Sequence, residues 1–138
     1  MILKNTDNAV IRIVNRQSDD EGSDVVNVEY SGRFYMNNGK FYIMYNEGDG
    51  ISCMIRAEKN KVTVNRSGAA SSVMVCEQGT EHSFLYKTQY GAMQMRVKTD
   101  KADILLGGNG GDIRLSYVLY VNGGNIKNNM DISVSLKA

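Results

Sequence analysis

One stretch decides the fold: Ile113-Arg114-Leu115-Ser116-Tyr117-Val118-Leu119-Tyr120-Val121-Asn122-Gly123-Gly124. From Ile113 to Val121 every second residue is apolar or aromatic, which is the period of a β-strand, because successive strand side chains point to opposite faces. The run ends at Asn122-Gly123, a pair typical of tight hairpin turns, whose central residues need positive φ. The alternation then resumes at Met130, Ile132, Val134 and Leu136. This stretch therefore predicts a β-hairpin.

The same combination of alternating strands and Gly/Asn turns recurs along the chain, and no segment shows a helical stripe. Strands are predicted near 8–16, 24–36, 40–47, 50–58, 61–67, 71–77, 81–88, 91–99, 102–106, 112–122 and 125–136. Short connections favour an up-and-down meander over a Greek-key sandwich. Closure of the meander would remove its exposed edges. We therefore predict one all-β domain over residues 1–138, a closed antiparallel up-and-down β-barrel.

The near-neutral charge balance disfavours polyanionic partners. The 16 Lys+Arg and 15 Asp+Glu give a formal net charge of +1, so neither nucleic acid nor an anionic membrane surface is a favoured partner. No apolar run approaches the ~20 residues of a spanning helix, and residues 1–7 lack the apolar core of a signal peptide, so we expect a cytoplasmic protein.

Cys53 and Cys76 have apolar neighbours and are expected to be buried free thiols. With one histidine and no CxxC pair, we expect no metal and no cofactor.

Three groups of residues resemble a known family. The central group consists of Arg66-Ser67-Gly68, Ser72, Met74, Glu77, Gly79, His82, Tyr86, Thr88, Tyr90-Gly91 and Val97-Lys98-Thr99. The flanking groups are Gly32-Arg33-Phe34-Tyr35 with Tyr42 and Tyr45-Asn46-Glu47, and Ile113-Arg114-Leu115-Ser116-Tyr117 with Asn122-Gly123. Together they resemble the DUF1934 family over nearly the whole chain. The resemblance implies a calycin-like (lipocalin-like) β-barrel from a bacterial cytoplasm, with an uncharacterised role.

Strand parity selects four candidate site residues. His82, Tyr86 and Thr88 share a face with Phe84, and Arg66 shares a face with Val62 and Val64, so all four are predicted to point into the barrel. They could anchor the polar group of a small apolar or amphipathic ligand, since small-molecule sites combine an apolar cavity with few polar anchors.

Two other interpretations of these residues stay open. In the first they plug the barrel, with Arg66 paired to Glu77 or Glu81 and His82 bonded to backbone, because small barrels are often filled by their own side chains. In the second the protein is a small enzyme, with His82 as general acid or base, Tyr86 as proton donor and Arg66 stabilising negative charge.

A further alternative places function on the outside of the barrel. Arg33, Tyr35, Tyr42 and Met44 have outward parity on neighbouring strands. Residues of these types are enriched at the centres of protein interfaces. The face could bind another protein or form a homodimer.

Overall fold

The computed structural model describes residues 7–137. Within them ten strands follow one another: β1 Ala9–Asp19, β2 Gly22–Asn37, β3 Lys40–Gly48, β4 Ile51–Glu58, β5 Lys61–Gly68, β6 Ala70–Glu77, β7 Glu81–Thr88, β8 Gly91–Gly107, β9 Gly110–Val121 and β10 Gly124–Leu136. Each strand pairs with the next in antiparallel sense, and β1 closes the sheet on β10 with a register that runs from Ala9↔Leu136 to Ser18↔Lys127. The predicted closed up-and-down barrel is confirmed.

The turn chemistry follows the sequence signals. Three of the two-residue turns, Asn38-Gly39, Asp49-Gly50 and Asn122-Gly123, have positive φ at both residues. This is the conformation of type I′ turns, whose twist matches that of the flanking strands. Short turns of this kind hold each strand beside its sequence neighbour.

The strand count differs from the prediction at one place. The segments 91–99 and 102–106 form a single strand, β8, whose register with β9 shifts between Thr99 and Lys101. A bulge of this kind inserts one extra residue and exchanges the two faces of the strand. The buried positions accordingly change from Val97 and Thr99 to Ala102, so the alternation is interrupted although the strand continues.

The two ends of the barrel differ in packing. At one end, where β1 starts and β10 finishes, the interior is filled by a buried apolar core that includes Ile11, Ala57, Val62 and Ile113. At the other end lie the turns β1–β2, β3–β4, β5–β6, β7–β8 and β9–β10, and inward-facing residues there are more exposed, as Val26 and Met93 show. We call these the filled end and the open end.

The wall is weakest between β6 and β7. In the described chain the ladder of these strands contains only Ala70↔Thr88 and Ser71↔Lys87. Both pairs lie next to Ala69, the residue that connects β5 to β6. At the far end the turn 78–80 connects the two strands, and within it the Thr80 amide donates to the Glu77 carbonyl over 3.0 Å. We call the unpaired stretch, between 72–77 and 81–86, the β6–β7 gap.

Candidate functional site

A cavity of about 340 Å³ occupies the half of the barrel that faces the open end. Its lining is mainly apolar and comprises Ile13, Val26, Val28, Tyr30, Tyr45, Ile55, Val64, Met74, Phe84, Tyr86, Met95, Tyr117, Leu119, Met130 and Ile132, with Asn15, Gln17, Glu47, Arg66 and Ser72 as polar members. Small-molecule sites have this composition, and their volumes begin at roughly 300 Å³. The interior is therefore filled at one end and hollow at the other.

An ion pair between Arg66 of β5 and Glu47 of β3 lies in the cavity wall. The Arg66 Nε donates to Glu47 Oε1 over 2.7 Å. Cys53, the register partner of Arg66 on the intervening strand β4, has a small side chain that leaves room for this contact. The expected partners of Arg66, Glu77 or Glu81, were wrong, because the sequence shows which face a residue occupies but not which strand's carboxylate lies at its height.

Arg66 remains charged in this setting. Burial lowers the pKa of the guanidinium, but the Glu47 carboxylate raises it, and the net direction is upward. In residues 7–137 the terminal nitrogens Nη1 and Nη2 have no hydrogen-bond partner, because only Nε is used. These free donors are the strongest polar recognition groups of the cavity.

Next to the ion pair the wall is aromatic. The Tyr30 and Tyr45 rings stack at a centroid distance of 4.6 Å. Burial raises the pKa of the Tyr45 hydroxyl, and also that of the Cys53 thiol. Both groups are therefore neutral at ordinary pH, and Arg66 and Glu47 are the charged groups of the lining.

A network of side-chain amides on β1 and β10 forms the opposite wall. Asn128 Nδ2 donates to the Ile126 carbonyl, which fixes Asn128 Oδ1 as an acceptor for Asn15 Nδ2 and Gln17 Nε2, both at 3.0 Å. Asn15 Oδ1 is then left buried without a partner in the described chain. These three residues were not among the predicted site residues, although Asn15 and Gln17 continue the inward parity of Ile11 and Ile13.

The four predicted site residues are only partly brought together. Arg66 and Tyr86 line the cavity, whereas His82 and Thr88 do not. Strand parity predicts the face of the sheet on which a side chain lies but not its position along the barrel axis. His82 and Thr88 are six residues apart on one strand, which separates them by about 20 Å. The predicted single cluster of four is therefore not formed.

The two remaining residues have local contacts at either end of β7. His82 Nε2 lies 3.5 Å from Glu77 Oε1 across the β6–β7 gap, and not in a backbone hydrogen bond as the plugged interpretation expected. Thr88 Oγ1 accepts a hydrogen bond from the Tyr90 amide at 3.1 Å. His82 and Tyr86 are about 13 Å apart along the strand, so the acid–base arrangement considered above is not assembled.

The outward-facing residues lie where parity placed them. The Tyr35 and Tyr42 rings stack at 4.9 Å on the outer surface, and the Arg33 guanidinium lies 5.9 Å from the Tyr35 ring centroid. Tyr35 is exposed, while Tyr42 and Met44 are half-buried.

Residues 7–137 have neither a metal-binding cluster nor a membrane-spanning helix. No group of three or more His, Cys, Asp and Glu side chains lies in a position to hold a metal ion. No helix of this part of the chain has the length and apolar character needed to cross a membrane. Cys53 and Cys76 are both buried and unpaired, as predicted.

The fold and its cavity define a class, the single-chain antiparallel β-barrels with one filled and one hollow end. The sequence profile described as "Domain of unknown function (DUF1934)" matches residues 11–132, and the chain belongs to this family. It is 24% identical over 106 residues to the uncharacterized beta-barrel protein YwiB of Bacillus subtilis (strain 168), covering 75% of each protein. The crystal structure of the ywiB protein from Bacillus subtilis superposes with a TM-score of 0.88 at 21% identity, covering 96% of this chain and 93% of that one. This likeness establishes the barrel fold.

Proposed function

We propose that the protein binds a small apolar or amphipathic ligand inside the barrel and does not act on it chemically. The observation that carries this proposal is the cavity of about 340 Å³, which is apolar except for a few polar groups on its two opposite walls. A barrel that served only as a scaffold would gain stability from filling this space, because empty apolar volume costs packing energy. The up-and-down topology with one hollow end also supports the lipocalin-like grouping.

The first test is native mass spectrometry of the protein purified from the cytosolic fraction of its own host. An extra mass that is lost on denaturation is the expected result, and it would identify the ligand. We infer a bacterial, cytoplasmic setting, supported by the Bacillus relative and by the two free thiols, which persist in reducing compartments. If the protein is found only outside the cytosol, the inferred cytoplasmic location is wrong, but the proposed ligand binding is unaffected.

Adjacent residues of β9 offer a matched pair of variants for the cavity itself. Leu119 lines the cavity, whereas its neighbour Val118 points to the outer face. Leu119→Trp should fill the space and weaken binding of the ligand, or of decanol as a probe, by roughly tenfold or more. Val118→Trp should bind like the wild type. Equal affinities in the two variants would contradict binding in the cavity.

A second candidate function is self-association or protein binding through the outer face. It is supported by the Tyr35–Tyr42 stack, a rigid aromatic surface flanked by Arg33, because Tyr and Arg are enriched among residues that dominate binding energy. We expect sedimentation velocity to show a homodimer that Tyr35→Ser converts to a monomer, with Tyr120→Ser as an outer-face control. A monomer in the wild type at all concentrations would remove the homodimer.

A further inference from the structure

A second concave site lies on the outside of the barrel, over the β6–β7 gap. This outer groove has a volume of about 520 Å³. It is lined by Asn65, Arg66, Ser67, Ser71, Ser72, Val73, Ser83, Phe84, Leu85 and Lys87. Neither the sequence patterns nor the family description assigns it a role.

The groove and the internal cavity adjoin the same part of the barrel wall. Its lining includes outward-facing residues such as Val73 and Leu85, which are 49% and 44% exposed, together with inward-facing residues. Three of its residues, Arg66, Ser72 and Phe84, also line the internal cavity. Groove and cavity therefore meet at the place where strand pairing is missing.

The groove is built for a negative group. It contains two cations, Arg66 and Lys87, four serine hydroxyls and one asparagine, and no Asp or Glu of residues 7–137 lines it. Glu47 contacts Arg66 but lines only the cavity. Lys87 has no ion-pair partner in the described chain and is exposed. Hydroxyls and cationic nitrogens are the donors that carboxylates and phosphates prefer.

Two free polar groups stand at the junction of groove and cavity. Arg66 and Ser72 are register partners on adjacent strands. Within residues 7–137, Arg66 Nη1 and Nη2 have no hydrogen-bond partner, and Ser72, only 6% exposed, has an Oγ without one. A buried hydroxyl without a partner costs free energy that an acceptor at this point would recover.

We propose that the groove and the cavity form one composite site for a single-chain anionic amphiphile. The apolar chain lies in the cavity, and the carboxylate or phosphate head group lies in the gap on Arg66 and Ser72, with Lys87 adding long-range attraction. This inference rests on the proposed function, because it assumes that the cavity takes the apolar part.

The test compares four probes with the same chain and different head groups: decanoate, decyl phosphate, decanol and decyltrimethylammonium. Calorimetry at pH 7 and low salt measures their affinities for the wild type, Lys87→Gln, Arg66→Gln and the control Lys127→Gln, an exposed lysine on β10. We expect the anionic probes to bind at least tenfold more tightly than decanol, and more weakly at high salt. Lys87→Gln should weaken the anionic probes several-fold and Arg66→Gln about tenfold, whereas Lys127→Gln should leave the affinities of all four probes unchanged.

Each outcome bears on the proposal in a defined way. A preference for decyl phosphate over decanoate identifies a phosphate head, and the reverse identifies a carboxylate. If decanol binds as tightly as the anionic probes, or if Lys127→Gln weakens them as much as Lys87→Gln does, the anionic site is overturned while cavity binding stands. If none of the four probes binds, the proposed function fails first. Lys87 is exposed and has no ion-pair partner in the described chain. We therefore expect Lys87→Gln to fold, so it tests the anionic site even if Arg66→Gln does not fold.

Discussion

At the residue scale, the interior combines one ion pair with several buried groups that are neutral. Arg66 has Glu47 as a partner, so its charge is compensated. Cys76, by contrast, is fully buried near the filled end, and its thiol has no charged neighbour among the causes that act on its pKa. A buried acid without a cation resists ionisation, because the anion loses its hydration.

This resistance predicts a pH dependence of stability. Burial raises the pKa of Cys76 from 9.0 to about 11, with a weaker lowering by the Thr99 hydroxyl. The thiol therefore holds its proton more tightly in the folded state than in the unfolded state. Its contribution to the free energy of unfolding is complete below pH 9 and is lost as the pH rises through 11. Two pKa units correspond to about 2 to 3 kcal/mol in the free energy of unfolding.

Urea unfolding of the wild type and of Cys76→Ala between pH 7 and pH 11 measures this contribution. We expect the variant to be less stable at pH 7, because it creates a small cavity, and the difference between the two proteins to shrink as the pH rises. Since both proteins share all other titrating groups, a difference that stays constant up to pH 11 would show that the thiol does not ionise differently in the two states.

At the element scale, β6 and β7 are neighbours in sequence yet pair over only two residue pairs. The sequence predicted both strands correctly, and nothing in their alternation indicates that their ladder stops after Ser71. Strand alternation reports side-chain burial, whereas pairing depends on the twist and stagger that closure imposes on the whole sheet. The β6–β7 gap was therefore beyond prediction, and so was the groove above it.

The gap predicts a route by which ligands reach the cavity. Val73 and Leu85 face outward two residues beyond the last pair, Ser71↔Lys87, on each side of the gap. A disulfide in the double variant Val73→Cys/Leu85→Cys should tie the strands together and slow association of decanoate, measured by stopped-flow, by roughly tenfold, with dithiothreitol restoring the rate.

A second cross-link controls for stiffening of the barrel. Val10→Cys/Ser135→Cys joins two residues that are already register partners on β1 and β10 and that line neither the groove nor the cavity. It should leave the association rate unchanged, since no opening lies between those strands. If the Val73–Leu85 cross-link also leaves the rate unchanged when oxidised, ligands enter through the open end.

At the scale of the whole molecule, the sequence predicted the all-β class, the short turns and the closed topology, because each depends on local alternation or on Gly/Asn chemistry. It also placed Arg66 and Tyr86 on the inner surface. It did not predict the Arg66–Glu47 ion pair or the amide network of Asn15, Gln17 and Asn128. These contacts join different strands, and they depend on the register between strands that closure of the barrel imposes.

Closure itself has a consequence for how the protein is made. Nine of the ten strand pairings join consecutive strands, but β1 pairs with β10 across up to 127 residues, from Ala9 to Leu136. Local hairpins form quickly, whereas the pairing of distant segments is the slow part of folding. On a ribosome, the amide network between Asn15 and Asn128 has to wait until the last strand has emerged. A nascent chain thus has hairpins but no lumen, and its capacity to hold a ligand begins only after β10 has emerged and paired with β1.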